Sequence, residues 1–355
     1  MCTIAGYAGA KQAAPILIDM LKREEYMDSG LSTGIATIHE GKLYTAKVLG
    51  DVNELLRSTD AIHFPGTVGI IHSRTSNNLL SHAHPFLSAD EKLALVLNGT
   101  FREVNCEAFA EESNRIMAAF FEEGVVKTAY TPSKASTNPR VLPNGMKYHD
   151  SESYALRIGR MLEHSAPENM AQDMAEATRV ALSQLPGDII ILGVHQDLPN
   201  TVTVGTVTRP MTCGFGDGET YLATSAMAFP REVQQHPIVS IPPTAICQIT
   251  PEGLKITNKK IDNVRVEQID YRVAAYLYTH MEALLKGKKD DPVAIPDMPC
   301  YTDWREVWSQ PSVDCKFANP TGLLKPYATV LYETLWSFHK EGRLHSRVIE
   351  RKGYP

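Results

Sequence analysis

The chain has 355 residues, enough to bury a large core in one domain or two unequal ones. Its formal charge of −6 excludes the basic field that nucleic-acid binding needs. No apolar run is long enough to span a bilayer, and the N-terminus lacks the basic-then-apolar layout of a signal peptide.

In chain order, residues 3–8 are short, apolar and bounded by glycine, the pattern of a buried strand. Residues 11–26 carry Ala14, Ile16, Leu17, Met20 and Leu21 at helical spacing, and Gly30 and Gly34 then break the pattern. The stretch 32–50 predicts two strands around a turn at Glu40-Gly41-Lys42. "GTVGIIHSR" (66–74) and "KLALVLNGT" (92–100) are apolar strands ending in polar residues, and 105–122 has a helical pattern. Residues 124–148, with three prolines and an Asn-Gly, read as a long loop or flap. Helices are predicted over 151–163 and 167–185, then a hairpin across Asp197-Leu198-Pro199-Asn200. Short strands fit "TYLATS", "IVSIPPTAICQIT" and "LKITN". From about 259 onward the pattern turns helical and proline-punctuated, with amphipathic stretches at 266–286 and 322–341. Strands joined as hairpins predict antiparallel sheets with helices outside, an α+β fold with an α-helical C-terminal extension.

The six cysteines are dispersed, with no C-x-x-C pair and no spacing that suits zinc. They predict reduced thiols in a cytoplasmic protein, with no metal and no cofactor. Cys2 is the one in a special place. Once Met1 is removed, it offers a thiol nucleophile and, on the same residue, an α-amine that titrates at about 7.7–8.0 and can act as base. On position alone, it is also an ordinary small core residue at a strand start.

An acyl-transfer nucleophile needs donors for an oxyanion. Asn98-Gly99, at the end of a buried strand, offers a side-chain amide and an unshielded backbone N–H, although Asn-Gly is also a common turn pair. A charged substrate needs anchors. The Arg74 guanidinium suits a carboxylate, and Asp150 suits an ammonium group. Taken singly, Arg74 is also a solvated strand-end charge and Asp150 a helix cap.

"MC", strand-"HSR", "HAHP", strand-"NG" and "DSE" occur in this order. With "HAHPF" (82–86), "LVLNGTF" and "FGDGETYLATSAMAF" (215–229), they make residues 2–258 resemble the class II glutamine amidotransferases, a family of N-terminal-nucleophile (Ntn) hydrolases. The nearest likeness is to the glutaminase domain of glucosamine-6-phosphate synthase. The resemblance implies an αββα sandwich of two antiparallel sheets over residues 1–258, with an insertion at about 124–148 and an extension over 259–355. It implies that Cys2 attacks the side-chain amide of L-glutamine and that Asn98 and Gly99 form the oxyanion hole. It also implies that Arg74 binds the substrate carboxylate, Asn77 assists, and Asp150 binds the amino group.

The chain departs from that pattern in several places. Thr75-Ser76-Asn77-Asn78 replaces the usual aromatic-small-Thr after the arginine. Thr3 stands where glycine is usual, Leu97 replaces a histidine, and "MDSGLS" (27–32) blurs another segment. Residues 259–355 show no alternating βα units of the kind a parallel α/β synthase unit would carry. The nitrogen acceptor is therefore expected on another chain, which the helical tail with Trp304, Trp308 and Trp336 would dock, or else those aromatics cover the domain itself. An oligomer is compatible with this. Two alternatives stay open. One is an Ntn cysteine hydrolase of a non-glutamine amide, since choloylglycine hydrolases also begin Met-Cys-Thr. The other is a non-catalytic amidotransferase-like protein.

Overall fold

The computed structural model describes residues 2–25, 29–75, 79–100, 107–132, 140–185, 187–207, 211–236, 238–241, 244–257 and 261. The helices expected over 259–355, with the three tryptophans, lie outside the described residues, Ile261 apart.

The first half of the chain forms β1 (Thr3–Ala8), α1 (Ala13–Glu24), β2 (Ser32–His39), β3 (Lys42–Val48), α2 (Val52–Ser58), β4 (Val68–Arg74), β5 (Phe86–Leu87), β6 (Leu93–Thr100) and α3 (Glu107–Glu122). The second half forms α4 (Asp150–Leu162), α5 (Met170–Gln184), β7 (Asp188–His195), β8 (Val202–Thr206), β9 (Met211–Gly216), β10 (Glu219–Ala223), β11 (Val239–Ile241), β12 (Ile246–Thr250) and β13 (Gly253–Thr257). One sheet has seven strands in the order β11-β9-β10-β1-β4-β2-β3, and the other has six in the order β13-β12-β8-β7-β6-β5. Among the described residues, every pairing between these strands is antiparallel.

Strand alternation builds the layers. Ile4, Ala8, Val68 and Ile70 face inward against Ala94, Val96, Ile190 and Leu192 of the other sheet. Their neighbours Ala5, Tyr7 and Ile71 face outward and are covered by Leu17, Ile18 and Leu21 of α1. Leu93, Leu95 and Leu97 face outward from the second sheet onto Tyr154 and Ile158 of α4 and Leu182 of α5. The result is helix, sheet, sheet, helix, the αββα sandwich.

Several elements differ from the sequence reading. "IVSIPPTAICQIT" is not one strand: β11 joins the seven-stranded sheet and β12 the six-stranded one. The elements α2, β5 and β9 carry no periodicity that announces them. Gly34 does not end a pattern but lies inside β2, where a Cβ would stand 2.1 Å from the backbone oxygen of His84. The absent side chain lets the 82–85 segment lie directly on the sheet. The turn between β2 and β3 is Glu40-Gly41, both at positive φ (48° and 69°), a two-residue hairpin turn. Residues 124–148 contain no described helix or strand; an isolated bridge between Tyr130 and Lys147 ties the two arms together. Among the described residues, no helix is long and apolar enough to cross a membrane.

Candidate active site

Sheet register brings the first described residue to the site. Thr3 pairs with Ser73 and Ile4 with His72. Cys2, one residue earlier, therefore lies beside Arg74 at the end of β4. Cys2 is a free thiol, partly exposed, with its Sγ 3.6 Å from the Thr75 hydroxyl.

On β6 the inward positions run Ala94, Val96 and then Asn98. The period of two thus aims the Asn98 amide across the gap between the sheets. Its Nδ2 donates to the backbone oxygen of Cys2 at 2.7 Å, and Asn98 is buried. Gly99 follows at φ 149°, where a side chain would strain the backbone. Leu97, in the place of the family's histidine, points outward into the core under α4 and α5.

The same alternation on β4 puts Val68, Ile70, His72 and Arg74 on the inner face. His72 Nε2 lies 3.1 Å from the Leu97 carbonyl, a second tie between the sheets. Arg74 Nη1 donates to the His82 carbonyl at 2.6 Å. Burial pulls the Arg74 guanidinium down from its ordinary value, while Cys2, Asp150 and Tyr130 pull it back up. Arg74 is thus within electrostatic reach of both the thiol and the carboxylate.

Asp150 is the first residue of α4, after His149, whose ring accepts from the Ser151 N–H. Burial raises its carboxyl above the usual range, against Arg140, Arg157 and Arg74, which lower it. Arg140 lies against the carboxylate as an ion pair, yet among the described residues the buried Oδ1 has no hydrogen-bond partner. Arg140 Nε lies 2.9 Å from Oδ1, and Nη1 lies 3.4 Å from Oδ2. Asn77 lies outside the described residues.

Four histidines surround these groups. His72 and His84 are stacked, with ring centres 3.9 Å apart, and His82 and His149 meet edge-on at 5.2 Å. Phe86 stacks on His149 at 4.8 Å. Burial lowers all four, His72 to about 3, with Arg74 adding to the effect in each. They are neutral rings that shape the floor of the site. Among the described residues, no group of three or more His, Cys, Asp or Glu side chains is arranged to hold a metal ion.

Sequence reasoning names His82 and His84 only within a motif. It gives His149, the residue before Asp150, no role, and it misses Tyr130 and Arg140 altogether. Arg140 sits in the proline-rich 124–148 stretch, where no periodicity marks one position above another. The one available signal is its charge in a segment of small polar residues.

No family model matches the chain. A relative from Leifsonia xyli subsp. xyli, named glutamine–fructose-6-phosphate aminotransferase [isomerizing], is 30% identical over 275 residues, 76% of this chain and 39% of its own length. One of the same name from Gloeobacter violaceus is 32% identical over 64% of this chain and 32% of its own length. Another from Thermus thermophilus is 24% identical over 99% of this chain and 56% of its own length. The chain thus spans between about a third and about half of these relatives. The solved structure of glutamine phosphoribosylpyrophosphate amidotransferase from B. subtilis, complexed with ADP and GMP, superposes with a TM-score of 0.53 at 18% identity, over 78% of this chain and 58% of that one. A structure described as the allosteric regulatory enzyme of purine biosynthesis gives 0.53 at 20% identity, over 74% and 49%. The two structures share the sandwich, and the sequence relatives share the glutamine-dependent name. The chain thus shares the fold of these two amidotransferase structures and is similar in sequence to part of relatives named for a glutamine-dependent aminotransferase, in line with the resemblance to class II glutamine amidotransferases.

Proposed function

We propose that this chain hydrolyses the side-chain amide of L-glutamine, giving glutamate and ammonia, with Cys2 as nucleophile. The observation that carries the reading is the clasp of Cys2 by Asn98 from the opposite sheet, directly beside Arg74. In this reading Arg74 takes the α-carboxylate bidentately and Asn77 assists it. Asp150 faces the α-amino end.

The thiol proton of Cys2 passes to its own α-amine, and the thiolate attacks the amide carbon. The amide oxygen becomes an oxyanion, which Asn98 Nδ2 and the Gly99 N–H stabilise. Asn98 must give up the Cys2 carbonyl to do so. The C–N bond breaks, the nitrogen takes the proton held by the α-ammonium, and ammonia leaves. Water then attacks the thioester, its proton returns through the amine, and glutamate departs as the thiol re-forms. The base in this scheme is the free amine of Cys2, so the active form is the one without Met1.

The supporting names belong to longer relatives. The domain division at about residue 258, an acceptor protein in trans and a cytoplasmic location are parts of the proposal. Cys2, Cys213 and Cys247, all unpaired thiols, agree with a reducing compartment.

The test is ammonia release from glutamine by protein whose intact mass shows Met1 removed, against a Cys2→Ala variant. The variant is expected to lose ammonia release and labelling by a glutamine-mimicking electrophile. Equal ammonia release by both proteins would overturn the assignment.

A further inference from the structure

A cavity of about 430 Å³ opens between the edge strands β3 and β5, the 125–128 stretch and Glu152 of α4. Cys2, Arg74, Asn98 and Asp150 do not line it. Leu80, Pro85, Phe86, Leu87 and Val125 make its walls largely apolar. Its cation is Lys47 of β3. Lys47 pairs with Gly34 of β2, and the missing side chain there leaves room for the lysine stem: a Cβ on Gly34 would stand 2.8 Å from that of Lys47. The stem carries the ammonium over the Phe86 ring, 5.5 Å from its centre, and one N–H goes to the Ala83 carbonyl at 3.1 Å. Among the described residues no carboxylate forms an ion pair with it. Burial holds this ammonium below its ordinary value; Glu152 opposes that and Lys127 adds to it. The Glu152 carboxylate is spent on the N–H groups of Lys127 and Thr128 and on the Thr128 hydroxyl. Lys127 itself pairs with Glu91 in an exposed contact. An ammonium has three donors, so Lys47 keeps some for a further acceptor. A desolvated cation in a mostly apolar cleft, with few other polar groups, is the pattern of a small-molecule site.

We propose that this cavity is a second ligand site, for a small monocarboxylate with a compact apolar body, and that its occupant acts on the substrate site through the 82–85 segment. One cation matches one carboxylate, and the Glu152 charge beside it disfavours a dianion such as a phosphate monoester. The apolar walls take the body of the ligand. Lys47 and Arg74 hold successive carbonyls of one segment, those of Ala83 and His82. A carboxylate draws Lys47 off Ala83, because a charged acceptor is stronger than a neutral one. The segment then loses one of these two ties, and Arg74 loses the fixed carbonyl that orients it. The occupant is therefore a negative effector. That link, unlike the site itself, rests on the assignment of Arg74 as the anchor of the glutamine carboxylate.

The experiment titrates the full chain calorimetrically with phenylacetate, and with phenylacetamide as its uncharged counterpart. Phenylacetate is expected to bind with a Kd of about 1 mM or tighter, and phenylacetamide about tenfold more weakly. Lys47→Met, which keeps the stem and removes the charge, should weaken phenylacetate by about tenfold, and Lys47→Arg should retain it. Thr45→Trp, at the exposed mouth of the cavity, fills it with Lys47 intact and should abolish binding. Thermal melts check that the variants fold, and where Lys47→Met does not, Thr45→Trp decides. Three results overturn the site: no binding of phenylacetate up to about 20 mM, equal binding of the amide, or an affinity that Lys47→Met and Thr45→Trp leave unchanged. For the link, saturating phenylacetate should raise the KM for glutamine several-fold at constant kcat, and should not do so in Thr45→Trp. An unchanged KM, or an equal rise in Thr45→Trp, refutes the link. Absence of ammonia release even without phenylacetate removes the link together with the hydrolytic reading, and the binding results alone then decide the site.

Discussion

At the scale of single residues, Asn98 holds the tightest combination of duties. Its amide clasps the Cys2 carbonyl across the sheets and is proposed to move onto the oxyanion. Asn98→Ala is expected to lower kcat for amide hydrolysis by about 100- to 1,000-fold, the cost of one oxyanion donor, with a smaller effect on KM. Steady-state kinetics beside a thermal melt checks this. A loss that appears wholly in KM, or one matched by unfolding, would leave Asn98 as a clasp only. What the sequence told at this scale follows from strand ends. Cys2, Arg74 and Asn98 each sit where an apolar run meets polar residues, so their convergence could be argued before any coordinates. Arg140 could not. Its importance comes from a contact between a proline-rich segment and the first turn of a helix, and no local pattern encodes such a contact.

At the scale of elements, the segment 82–85 matters as much to the site as the strands do. It lies on β2 because Gly34 has no Cβ, its His82 carbonyl accepts from Arg74, and its Ala83 carbonyl accepts from Lys47. Gly34→Ala puts a methyl group into the His84 backbone, so the segment must lift. The expected result is a several-fold or larger rise in KM for the amide substrate, through displacement of the carbonyl that orients Arg74, together with a loss of roughly 1–3 kcal/mol in stability. Chemical denaturation and KM measured on the same preparation test this. A stability loss with KM unchanged would uncouple the segment from Arg74. The strands β1, β4 and β6 were legible because each is a mostly apolar run. The helix α2 was not, since only Val52 and Leu55 of its seven residues are buried. The strand β9 was not, because two glycines interrupt "MTCGFG".

At the scale of the whole molecule, the neutral histidine floor ties stability to pH. His72 takes up a proton at about pH 3 in the folded protein, against an ordinary value of 6.5. Well above pH 6.5 neither state binds the proton and the group is silent. As pH falls from 6.5 towards 3, the unfolded chain gains a proton that the folded one refuses, so stability drops. Between about pH 7.5 and pH 5.0 His72 alone should remove roughly 2 kcal/mol. Urea midpoints at the two pH values are expected to fall less in His72→Gln than in the parent, and an equal fall in both would refute the assignment to His72. His82, His84 and His149 act with the same sign. One more consequence lies in the strand order. β1 is central in its sheet, gripped by β4 on one side and by β10, over two hundred residues later, on the other. During synthesis the thiol emerges before all of these strands, yet β1 cannot be clamped until β10 has followed. Folding is therefore dominated by distant contacts and is expected to be slow. A nascent chain that stops short of Ala223 carries the Cys2 thiol without the strand that frames it.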